Sequence, residues 1–99
     1  MLKYNKKMNG EQVILSFQAE INTANAKEFQ ELMDSIDSND IVLDFKDLDY
    51  ITSAGLRTLL VVANKIIQNK GKMAIVNMNE IIKDIFDITG FDDIVNIGQ

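Results

Sequence analysis

Asp49-Tyr50-Ile51-Thr52-Ser53-Ala54-Gly55-Leu56-Arg57 is the stretch whose reading decides the fold. Behind it lies a short apolar run, Ile41 to Phe45, which reads as a strand in a sheet's interior. Ahead of it Leu56, Leu59, Leu60, Ala63 and Ile67 recur at helical spacing, and Val61, Val62 and Ile66 widen the apolar face. The spacing predicts a helix over roughly 54–69, buried on more than one side. Hydroxyls and small residues fill the junction between strand and helix. A helix start leaves backbone N–H groups without partners and carries partial positive charge. Ser53 is therefore fitted either to cap the helix or to carry a phosphate. On the residues alone capping is the commoner use of such a serine. Thr52 could equally be the cap, which would leave the Ser53 hydroxyl free.

Working outward, Lys46 to Tyr50 reads as a loop, and Gly71 as the C-terminal cap of the long helix. Lys72 to Val76 forms a further strand, and Asn77 to Asn79 a loop in which Asn79 caps a short helix marked by Ile81, Ile82, Ile85 and Phe86. That helix ends near Gly90, and Asp93 to Ile97 suits a last short strand. Toward the N-terminus, Leu2 to Lys6 alternates apolar and polar, Asn9-Gly10 signals a turn, and Val13 to Ala19 reads as a second strand; the pair predicts a hairpin. Glu20 to Thr23 connects to a helix of about four turns carrying Ala26, Phe29, Leu32, Met33 and Ile36, with Asn22 or Thr23 as its N-cap. Alternating strands and helices with short connections predict parallel pairing, and the hairpin makes the sheet mixed. Partner sites in such folds lie beyond the carboxyl ends of parallel strands, so the connectors at Asn22, Ser53 and Asn77 are expected to gather there.

Composition narrows the function. With 99 residues and 46% hydrophobic, the chain suits one domain with one core. There is no histidine and no cysteine, so Ser-His-Asp and Cys-His catalysis, disulfides and thiolate metal sites are excluded. The net charge of −5 and the lack of a basic run argue against nucleic acid. No apolar run reaches the length of a membrane helix, and the first residues do not resemble a signal peptide, so an intracellular protein is expected. None of the 5 glycines falls in a nucleotide-binding loop pattern. Asp44, Asp47 and Asp49 could hold Mg²⁺, but acidic loops usually serve solvation or local turns. Gly55, inside the first turn of a helix, costs about 1 kcal/mol relative to alanine and implies close approach of another segment or of a partner. Arg57 is the sole arginine; Asp47, Asp49, a phosphate on Ser53 or an acidic group on a partner could each pair with it.

Thr52-Ser53-Ala54-Gly55-Leu56 resembles the signature Asp-Ser-[Ser/Thr/Ala]-Gly-Leu of the anti-sigma factor antagonists, whose fold is the STAS domain. Ala19 to Ala24 is similar to that family's turn after its second strand. Ile41 to Phe45 with Leu48 and Tyr50, and Lys72 to Asn77 with Ile85-Phe86 and Thr89-Gly90-Phe91, resemble its later segments. Thr52 and Asn22 stand where the family usually has aspartate; both keep hydrogen-bonding capacity. The resemblance spans nearly the whole chain and implies an α/β STAS fold: a single small domain over 1–99, with a mixed central sheet of about four to five strands and three to four helices.

For function the resemblance implies partner switching in bacterial transcription regulation. The unphosphorylated antagonist binds an anti-sigma factor that is also a serine kinase of the GHKL ATPase type, and binding frees the sigma factor. The kinase phosphorylates the signature serine, here Ser53, and a PP2C-type phosphatase restores it. The expected docking surface is Asn22, Thr23, Thr52, Ser53, Ala54, Gly55, Leu56 and Arg57. No catalytic residue, cofactor or metal is implied, nor direct nucleic-acid binding or membrane insertion, and the setting is the cytoplasm. The alternative is a STAS domain serving as a scaffold in a stress-signalling assembly or as a regulatory subunit of a lipid transporter.

Overall fold

The computed structural model describes residues 1–91 and 96–97. Its elements run β1 (Lys3–Asn9), β2 (Gln12–Ile21), α1 (Ala26–Ser35), β3 (Asp40–Ile51), α2 (Ser53–Gln68), β4 (Lys72–Val76), α3 (Glu80–Thr89) and β5 (Asn96–Ile97). The strands form one mixed sheet in the order β1-β2-β3-β4-β5. β2, β3 and β4 run parallel, while β1 and β5 join antiparallel at the edges. The expected hairpin is present, turning at Gly10 with φ +66. Of the last expected strand, Asp93, Ile94 and Val95 lie outside the described residues.

The sheet has two unlike faces. Val13, Leu15 and Phe17 of β2 and Ile41, Leu43 and Phe45 of β3 are buried, while Ile14, Ser16, Val42 and Asp44 between them stay half-exposed. This period of two places alternate side chains on opposite faces. Phe29 and Met33 of α1, Leu59 and Val62 of α2, and Ile82 and Phe86 of α3 join the same apolar cluster as the buried strand residues. The three helices among the described residues therefore serve the one covered face. α2 likewise buries a single broad face, not several sides: Val61 and Ile67 remain 50% and 52% exposed.

β3 is much longer than its apolar run suggests. The segment from Lys46 to Tyr50, expected as a loop, continues the strand. It stays paired with β2 through two register shifts, between Ser16 and Gln18 and between Ala19 and Glu20. At each shift β3 carries one extra residue, so the pairing resumes with Gln18 opposite Asp47 after the first, with Glu20 opposite Tyr50 after the second, and ends with Ile21 opposite Ile51. Leu48 and Ile51 keep facing the core, whereas Lys46, Asp47, Asp49 and Tyr50 point to solvent. Charged residues on an exposed strand side imitate a loop.

Three end signals also resolve differently. α1 has 10 residues rather than about four turns, and its N-cap is Asn25, not Asn22 or Thr23. α2 ends in a Schellman arrangement: the Gly71 N–H donates to the Ile66 carbonyl (2.9 Å) and the Lys70 N–H to that of Ile67 (3.0 Å). The left-handed residue there is Lys70, with φ +55. Gly71 is needed for room instead, because an added Cβ would sit 2.5 Å from the Asn39 carbonyl oxygen. Asn79 and Gly90 cap α3 as expected, Asn79 Oδ1 accepting from the Ile82 N–H at 2.9 Å and Gly90 adopting φ +75.

Candidate functional site

The carboxyl ends of β2 and β3 finish level with each other and hold the start of α2. The Thr52 N–H donates to the Ile21 carbonyl at 2.9 Å, tying the end of β2 to the first turn of the helix. Thr52 has extended backbone (φ −83, ψ 172), and its carbonyl accepts from the Leu56 N–H at 2.9 Å. Its side-chain Oγ1 accepts from the Gly55 N–H at 3.4 Å, a long but N-cap-type contact. Thr52 is thus the cap, a place where an aspartate would serve equally. Ser53 becomes the first residue of α2; it is exposed, and among the described residues its hydroxyl has no hydrogen-bond partner.

Gly55 explains itself through contact. A Cβ there would lie 2.8 Å from Ile21 Cγ2, 2.8 Å from Ile51 Cγ1 and 3.2 Å from the Ile21 carbonyl oxygen. Ile21 and Ile51 are fully enclosed, and the Ile21 carbonyl is engaged by Thr52, so none of these neighbours can yield cheaply. Gly55→Ala is expected to lower stability by about 1–2 kcal/mol, overpacking outweighing the helix propensity gained. Urea unfolding of the two proteins measures this, and a stabilised variant would contradict it.

Beside this junction sits the turn that follows β2. The Asn22 side-chain oxygen accepts from the N–H groups of Ala24 (2.9 Å) and Asn25 (3.1 Å), and its amide donates to Glu20 Oε1 (2.9 Å). Sequence reasoning missed Asn25. It is 5% exposed; its Oδ1 accepts from the Asn22 N–H at 2.7 Å and its Nδ2 donates to the Glu20 carbonyl at 2.9 Å. Two asparagines three residues apart after a strand, each able to accept and donate, were the available signal.

The expected docking residues divide by burial. Asn22 and Thr52 are half-buried, Thr23, Ser53 and Arg57 are exposed, and Ala54 is half-buried. Gly55 and Leu56 face the core and hold the helix start from beneath. Asn77 does not join this group. β4 stops opposite Asp44, about 20 Å along β3 before Ile51 at a strand's rise per residue. There Asn77 Nδ2 donates to Asp44 Oδ1 (3.1 Å), which also accepts from the Lys46 N–H (3.0 Å). Asn79 Nδ2 donates to the carbonyls of Leu48 (3.0 Å) and Asp49 (3.3 Å), so α3 braces the outer part of β3. Among the described residues no three of His, Cys, Asp and Glu are grouped so as to hold a metal ion, and no helix is long and apolar enough to cross a membrane.

Residues 3–99 match the STAS domain family profile, and the chain belongs to that family. A relative named as a candidate anti-sigma factor antagonist, BtrV of Bordetella bronchiseptica, is 37% identical over 82 residues, covering 80% of this chain and 71% of its own. A Thermotoga maritima protein, likewise solved as a candidate anti-sigma factor antagonist, is 27% identical and superposes with a TM-score of 0.85 over 93% of this chain and 82% of its own. The Bacillus cell fate determinant SpoIIAA, solved in phosphorylated form, shares the fold at 14% identity, with a TM-score of 0.76 over 92% of this chain and 86% of its own. The first two names describe regulators rather than enzymes.

Proposed function

We propose that this chain is an anti-sigma factor antagonist that docks on an anti-sigma factor of the serine kinase type through the α2 start and the Asn22 turn, and is switched off by phosphorylation of Ser53. The observation that carries the reading is the state of the Ser53 hydroxyl. Thr52 performs the capping, so the serine stands exposed with its oxygen unengaged among the described residues. A kinase can reach such a hydroxyl without unfolding the helix. The relative BtrV bears the corresponding name, and SpoIIAA, which shares the fold, has been solved in a phosphorylated form, which supports the reading. A phosphoserine adds nearly two negative charges at pH 7, enough to change what can dock without a change of fold. The chain has neither histidine nor cysteine, which suits action by binding. The cytoplasm, where sigma factors meet RNA polymerase, is the corresponding setting, and a PP2C-type phosphatase would reset the switch.

The test is phosphate transfer. Incubated with ATP and the serine kinases of its own organism, the wild-type chain is expected to gain phosphate and Ser53→Ala to gain none. Transfer to Ser53→Ala at the wild-type rate, or no transfer to wild type from any of these kinases, would sink the proposal.

A further inference from the structure

Arg57 lies one helical turn after Ser53 and shares its exposed stripe. It is the single arginine of the chain, and among the described residues it enters no ion pair. Among the described residues the ion pairs are Met1–Glu28 and Lys65–Asp34; neither Asp47 nor Asp49 pairs with Arg57. Side chains four apart on a helix have Cβ atoms about 5–6 Å apart, and an acid placed N-terminal to a base is the favourable order. The first turn of α2 contains no acidic residue to compete. Because Thr52 caps the helix, a substituted Ser53 oxygen leaves that bond intact, and side chains on a helix lean toward its N-terminus, which brings the long Arg57 side chain back over Ser53.

We infer that a phosphate on Ser53 is clamped by the Arg57 guanidinium, whose planar fork matches phosphate oxygens in a bidentate pair. This rests on the phosphorylation reading above and adds a second action to it. Modification places negative charge at the helix start and withdraws the cation one turn along. A partner that offers a carboxylate to Arg57 then loses that contact as well.

The experiment installs phosphoserine at position 53 during synthesis, so no kinase is required. As the only arginine, Arg57 gives a single side-chain Nε–H resonance. On phosphorylation that resonance is expected to shift downfield and exchange several-fold more slowly with water, and to return when a phosphatase removes the group. Phosphorylation should also raise the melting temperature of wild type by more than it raises that of Arg57→Gln. An Nε–H signal indifferent to the phosphate, or equal rises in the two proteins, overturns the clamp. That result leaves phosphorylation by a kinase standing. Conversely, failure of the kinase assay with these signatures present removes the switch and keeps the pair.

Discussion

Ser53→Asp is expected to weaken binding to the anti-sigma partner on the order of 100-fold, while the melting temperature holds or rises slightly. The two effects separate because Ser53 belongs to the fold only through its backbone. Its side chain is exposed and, among the described residues, bonds to nothing. A carboxylate at the first helical position meets the positive end of the helix dipole, in a turn that otherwise contains no acid, which contributes about 0.3–1 kcal/mol toward stability. On the partner's side the same charge must lose its water against a surface shaped for a hydroxyl. An unpaired charge buried at an interface costs several kcal/mol. Ser53→Asn, close in size and uncharged, is the control and should retain most of the affinity. Calorimetric titration with the identified partner decides the matter. Equal affinities for wild type and Ser53→Asp would remove the electrostatic account, and weak binding accompanied by a fallen melting temperature would assign the effect to folding.

Phe17→Ala should cost about 3–5 kcal/mol, a large share of the 5–15 kcal/mol that holds a domain of this kind together. Phe17 is fully buried on β2 and its ring joins three elements at once. It meets Phe29 of α1 edge-on at 5.3 Å between centroids and Phe45 of β3 at 6.0 Å, and it lies 6.4 Å from Tyr4 on the edge strand. Truncation leaves a void walled by β3 and α1, neither of which can collapse without breaking sheet register or helix packing. Urea unfolding should show a lower midpoint with an unchanged slope. Tyr4→Ala, at a residue already 44% exposed, should cost clearly less. Similar losses at the two positions would mean that Phe17 is not the hub of the core.

Local patterns carried most of the architecture. Asn9-Gly10, the helical spacing from Leu56 onward, Asn79 and Gly90 each act over a few residues, and the structure places a turn, a helix, an N-cap and a left-handed C-cap there. The α/β class and the mixed sheet follow from the order of such elements. The lack of histidine and cysteine and the net charge of −5 exclude whole classes of chemistry without reference to the fold. The outer half of β3 was hidden because its reason is distant. Lys46 to Tyr50 is a strand only because β2 runs alongside and two extra residues are absorbed in the ladder. Lys70 could not be foreseen in a left-handed conformation, since the crowding at Gly71 comes from Asn39, far away in the chain.

At the functional end the sequence by itself determined the cast: two adjacent hydroxyls, a glycine inside the first turn and an arginine one turn later. It left open which hydroxyl caps the helix, because Thr and Ser are near equals in that role. Tertiary structure decided it. The bond from the Thr52 N–H to the Ile21 carbonyl, with Gly55 pressed on Ile21 and Ile51, sets where the helix begins. Threonine thereby faces the open N–H groups and serine faces solvent. That phase is fixed by contact with β2, 31 residues earlier in the chain, and no local propensity encodes it.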